Sequence, residues 1–192
     1  ILQLAVSAHQ YLSKPCDAEY LCDRLKHVCA FSSLASAFPF LAQVCQMASL
    51  PSHPAIYDDV KEMLENDKQG IQRIGMTIAK DIGMTTKVLQ LTNSPFFGSL
   101  LQICDPVEAV TGLGKDTLRS LMLTENVFTK LSNEGVKKFS LDKLWKRTAL
   151  ASEYALRIAK MEGLASQDVD KVRMSASLQD LSKLVLFSCC PS

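Results

Sequence analysis

Apolar positions recur at helical spacing along most of the chain, and the runs break at Gly, Pro and Asn. Behind Asp17, Leu21, Leu25 and Val28 stand at i, i+4 and i+7, which predicts a helix over residues 17–30 capped by that carboxylate. Phe31–Ser49 reads as a joint running into an apolar helix (Phe40, Leu41, Val44, Met47, Ala48), with Pro39 near its first turn. Pro54 starts another helix with Ile56, Val60, Met63 and Leu64 turned inward. Ile71, Ile74, Ile78 and Ile82 form one face of the next. Leu118, Leu121, Met122, Glu125 and Phe128 trace one side of a further helix. Ser140 is placed to cap a helix over 141–162, whose Leu141, Leu144, Trp145, Thr148, Ala149, Ala155, Leu156 and Ala159 make a small-residue face suited to close helix packing. The last helix is predicted over roughly residues 168–187. This is a mainly helical pattern.

The stretch Asp81–Gly98 organises the rest. Gly83 reads as a break, after which Thr85 or Thr86 caps a helix carrying Val88, Leu89, Leu91 and Thr92. Asn93-Ser94-Pro95 ends it, because Pro95 disfavours helical geometry at Ser94 and Asn93 tolerates a left-handed terminus. Phe96-Phe97-Gly98 then places two rings at a turn. On periodicity alone this is a helix C-terminus with two core rings.

The whole string resembles the most recognisable segment of the HDOD family, helical domains related to HD phosphohydrolases. Asp81, Thr85, Lys87, Leu89, Leu91, Asn93, Ser94, Phe97 and Gly98 match it, while Ile82 replaces the usual proline and Met84 the leucine. Leu50-Pro51-Ser52-His53-Pro54 resembles the family's opening L-P-x-x-P. Ala109, Val110, Leu113-Gly114 and Leu118 resemble a later segment, with Gly112 and Gly114 marking a tight joint. The resemblance implies an HD-like multi-helix bundle over residues 33–192, and Trp145 is its helix's aromatic. The bundle is expected to lack its last helices, since the chain ends soon after residue 180.

The opening residues differ from the rest. His9–Ser13 reads as a short strand, followed by Lys14-Pro15 and the helix capped by Asp17. This resembles the terminal strand and helix of a response-regulator receiver domain, incomplete over residues 1–32. The resemblance implies that Lys14 contacts a phosphorylated aspartate and that Tyr11 is the aromatic that swings inward. Without it, Lys14 is simply a solvated lysine at a strand end. Mg2+ has a place only in the part of such a receiver that would lie upstream; no other cofactor is expected.

Composition narrows the classes. The 192 residues are 47% hydrophobic and 21% charged with a net charge of +1, an ordinary globular balance with no general pull toward nucleic acid. No run approaches the roughly 18 apolar residues of a membrane span, and no signal peptide is visible. Seven scattered cysteines without a C-x-x-C motif argue for a reducing cytoplasm, where most would serve as small hydrophobes.

The degenerate HD position is the most informative departure. Leu178-Gln179-Asp180-Leu181-Ser182-Lys183 stands where an HD phosphohydrolase reads L-H-D-I-G-K, and Arg147 stands where such enzymes place another histidine. Catalytic HD domains need several His and Asp ligands to hold metals that activate water. The only histidines are His9, His27 and His53, none at a ligand position. No metal site and no catalytic residue are therefore expected. The reading is a non-catalytic signal-transduction protein of two-component type. A sensor histidine kinase acts upstream, and the HDOD output binds an unknown protein partner, away from membranes. The alternatives are a metal-dependent phosphohydrolase acting on a (cyclic) nucleotide, opposed by the missing ligands, and a nucleic-acid regulator using Lys137, Lys138, Lys143, Lys146 and Arg147. A solvated basic face is the better account of that cluster, and a phosphate or nucleotide contact the lesser one.

Overall fold

The structure, a computed structural model, describes residues 15–38, 50–94, 102–123, 127–130 and 141–189. Helix α1 (Ala18–Ala37) begins at Asp17, whose side chain accepts from Tyr20 N–H at 3.3 Å. It continues to Ala37, through the joint expected at Phe31 and across the domain boundary expected at residues 32/33. The expected strand His9–Ser13 and the apolar helix over residues 40–48 lie outside the described residues.

Strand β1 (Pro51–Ser52) leads into α2 (Pro54–Glu65), which buries Pro54, Val60 and Leu64. Helix α3 (Ile71–Ile78) ends one turn earlier than its isoleucine pattern suggests: Ile82 belongs to α4 (Ile82–Thr92). Helices α5 (Pro106–Leu113) and α6 (Lys115–Leu123) meet at Gly114, whose φ of 79° lies in the left-handed region that glycine tolerates. Gly112 is not part of that joint; it lies within α5. Arg119 of α6 ties down the end of α2, donating to Leu64 O at 2.7 Å and to Asp67 Oδ1 at 3.0 Å.

The helix predicted to reach Phe128 does not extend that far: α6 is described to Leu123, and Phe128 is buried just ahead of strand β2 (Thr129–Lys130). β2 pairs with β1 in parallel, Pro51 opposite Thr129 and Ser52 opposite Lys130. Two-residue strands leave no period-2 pattern to read. Helix α7 (Leu141–Met161) packs chiefly on α8 (Ser166–Leu178). Of its expected small-residue face, Leu144, Trp145, Thr148 and Ala159 are buried, whereas Ala149 is exposed. The single last helix expected over 168–187 is two, α8 and α9 (Leu181–Cys189), broken at Gln179-Asp180.

One core joins α2 to α6 through Val60, Ile74, Ile78, Met84, Val88, Leu91, Val110, Leu118 and Leu121. A second cluster of Ile82, Leu144, Trp145 and Leu184 locks α7 and α9 onto the start of α4. The architecture is mainly helical and HD-like.

Candidate functional site

Asp81 is fully buried at the N-cap of α4. Its Oδ1 accepts from Met84 N–H at 2.7 Å, closing the first turn of the helix. Its Oδ2 accepts from His53 N–H at 2.7 Å and from the indole Nε1–H of Trp145 at 3.1 Å. One carboxylate thus joins the β1–α2 corner, α4 and α7. Burial pushes its pKa above the ordinary carboxylate range, opposed by the hydrogen bonds from Met84, His53 and Trp145. Ser52, also fully buried, adds a weaker stabilising influence on the charge.

The cap expected at Thr85 or Thr86 is therefore Asp81, four residues earlier. Gly83 does not break the chain. It lies in the first turn of α4, where a Cβ would stand 2.6 Å from Pro51 O. Its role is close approach between α4 and β1. Thr85 turns its hydroxyl to Ile78 O, and Thr86 to Ile82 O.

At the other end of α4, Asn93 is not left-handed: its φ is −83°. Its side chain acts instead as a piece of backbone. Nδ2 donates to Leu89 O and Ile103 O at 2.9 and 2.8 Å, and Oδ1 accepts from Ile103 N–H at 2.8 Å. Asn93 thereby clamps together the two ends of the segment between α4 and α5. Ser94 donates to Leu91 O at 2.6 Å. Lys87, 7% exposed, has no hydrogen bond or ion pair among the described residues, and burial pulls its ammonium below the usual lysine range.

His53 stands edge-on to Trp145, the ring centroids 5.4 Å apart. Its Nδ1 accepts from Ala55 N–H, and this bonding assigns the ring proton to Nε2, which donates to Asp142 Oδ1 at 2.9 Å. Asp142, one turn before Trp145, is a partner that the sequence did not reveal. Neither did it reveal Ser52.

The degenerate HD position is assembled in space. Asp180, 3% exposed, lies at the α8–α9 break, with Arg147 Nε 3.3 Å from its Oδ2 and Lys183 Nζ 2.5 Å from its Oδ1. Gln179 is exposed. Arg147 and Asp180 were singled out together from the sequence and do meet. Lys183 was missed as a partner, although a lysine three residues after Asp180 on a helix is the expected spacing. Among the described residues no group of three or more His, Cys, Asp or Glu side chains could hold a metal ion. Both oxygens of Asp81 are committed to donors, which makes the side chain a structural tie.

Tyr11, Lys14, Phe97 and Gly98 lie outside the described residues, as do Lys137 and Lys138. Cys16, Cys22 and Cys29, expected as small hydrophobes, are exposed free thiols. No helix among the described residues is long and apolar enough to cross a membrane.

A family model described as HDOD domain matches residues 50–192, most of the chain. The chain belongs to the HDOD domain family. HDOD domains are HD-like and associated with signal transduction. Neither a search of curated proteins nor one of solved structures returned a match.

Proposed function

We propose that this HDOD domain is a non-catalytic output module that acts by binding a protein partner. In this reading it is controlled by a receiver domain phosphorylated from a sensor histidine kinase. The observation that carries the non-catalytic half is the surroundings of Asp180. Arg147 and Lys183 flank it at 3.3 and 2.5 Å, so a divalent cation brought there would meet two positive charges in place of further ligands. Gln179 beside it is a poor ligand for a borderline metal.

The binding half is supported by the surface of α7. Leu150, Tyr154, Ile158 and Met161 are each at least half exposed and follow one another at i, i+4, i+8 and i+11, an exposed apolar stripe along the helix. The receiver half is supported by the resemblance around Lys14-Pro15 and by the Asp17-capped helix that follows.

Metal analysis and a phosphodiesterase assay with Mn2+ or Mg2+ test the first half. The expected result is substoichiometric metal and no turnover of cyclic dinucleotides; stoichiometric metal with turnover overturns it. For the second, the Tyr154→Glu, Ile158→Glu protein is expected to keep its melting temperature and lose partner capture. Acetyl phosphate treatment of the intact protein is expected to alter that capture and the protease sensitivity near residues 30–50.

A further inference from the structure

Helix α7 turns Leu144, Trp145, Thr148 and Ala159 into the fold, and its outer side carries the stripe of Leu150, Tyr154, Ile158 and Met161. At about 1.5 Å per residue the stripe runs roughly 16 Å along the helix. Met161, at 85%, is its most exposed member. A continuous apolar surface of this kind marks a contact. By itself, though, it fits any amphipathic helix.

The order of side chains along it narrows the choice, because the stripe reads nearly the same from either end. Counted from residue 156, Leu150 lies six positions back and Met161 five forward, while Tyr154 lies two back and Ile158 two forward. Two α7 helices laid antiparallel across a twofold axis at residue 156 therefore set Leu150 against the second copy's Met161 and Tyr154 against its Ile158. In such an isologous contact every pairing occurs twice, so each favourable match counts double.

The flanking charges obey the same symmetry. Glu153 and Lys160 stand seven residues apart, about two turns, on one flank of the stripe. Glu153 lies three positions before residue 156 and Lys160 four after it, so the antiparallel pairing brings each Glu153 beside the second copy's Lys160. Within one chain Lys160 is exposed and has no hydrogen bond or ion pair among the described residues, while Glu153 is about half exposed and ion-paired with Arg157. A carboxylate can accept from further donors. By neutralising Arg157, Glu153 also keeps the two arginines near the axis from meeting as bare like charges. A parallel pairing would instead set lysine on lysine and glutamate on glutamate, which disfavours it.

We infer that the α7 stripe is occupied by the α7 stripe of a second copy of this chain, the two helices antiparallel about residue 156. The inference rests on the reading of that stripe as a binding surface and names what binds there. A single helix pair is small beside stable interfaces of about 1,200–2,000 Å², which puts the dissociation constant on the order of 100 µM.

The test is sedimentation equilibrium of the full chain from about 10 to 500 µM, with circular dichroism confirming that each variant is folded. The wild type is expected to pass from monomer towards dimer over this range, and the Tyr154→Glu, Ile158→Glu protein to stay monomeric. Lys160→Glu and Glu153→Lys are each expected to weaken the dimer about tenfold. An equimolar mixture of the two is expected to regain wild-type affinity, because each copy then supplies the charge the other lacks. A wild type that stays monomeric at about 500 µM overturns the inference and leaves the stripe itself to the partner-capture experiment. A dimer untouched by Tyr154→Glu, Ile158→Glu overturns it as well. So do charge variants that pair with each other no better than with themselves.

Discussion

Asp81 shows how one side chain can decide a fold's geometry while opposing its own charge. Three N–H donors from three segments point at it, and each would be left buried and unpaired without it. Asp81→Ala is therefore expected to lower stability by about 3–5 kcal/mol in urea unfolding, the cost of orphaning a buried polar network. Its pH signature has a definite sign. The folded pKa lies above the unfolded value of 3.8, so the native state binds the proton first as pH falls. That contribution is fully present below 3.8 and is lost as pH rises through the folded pKa. The stability of the wild type relative to Asp81→Asn is expected to decline as pH rises above 3.8, read from urea midpoints across the acidic range. Lys87 has the opposite arrangement, a buried cation whose folded pKa is depressed. Its contribution is present above the ordinary value of 10.5 and is lost as pH falls through the folded pKa. Lys87→Met is expected to raise stability in urea unfolding at neutral pH by up to about 1 kcal/mol, since an uncharged chain of similar length avoids that desolvation.

At the scale of elements, helices were legible where burial follows the period and were misplaced where a tertiary contact sets the boundary. Val60, Leu64, Ile74, Leu118 and Leu121 are core residues as their spacing predicts. Gly83 read as a break because glycine usually is one; only the arrival of Pro51 O explains why a side chain is excluded there. The α8–α9 break was hidden because the apolar pattern runs on through it. At the break Asp180 lies between Arg147 from α7 and Lys183 from α9. The meeting of Arg147 with Asp180 could be anticipated from a family pattern, whereas Asp142 and Ser52 join the Asp81 surroundings through folding alone. Gly83→Ala is expected to destabilise by about 1–3 kcal/mol, since its new methyl meets backbone and not a movable side chain. Equilibrium unfolding in urea measures it; an unchanged midpoint would mean that α4 and β1 separate without cost.

For the molecule as a whole, the buried core side chains among the described residues run from Val60 to Leu184, and none of the described side chains of α1 is among them. α1 and the Phe38 that caps it instead expose Leu25, Val28, Leu34 and Phe38 by half or more of their surface. The family match likewise begins at Leu50, after that helix. Removing residues 1–38 is expected to leave the melting midpoint of the remaining chain unchanged in calorimetry, because no described core contact is lost. A large drop would show that α1 is part of the core.

Trp145 is the chain's one tryptophan, and its ring nitrogen is bound to the carboxylate that holds the β1–α2 corner against α4. Its light emission is thus wired to the centre of the fold: whatever pries these segments apart, by heat, denaturant or an arriving molecule, changes the surroundings of that indole in the same instant. The protein carries its own optical gauge, and no dye needs to be attached to read it.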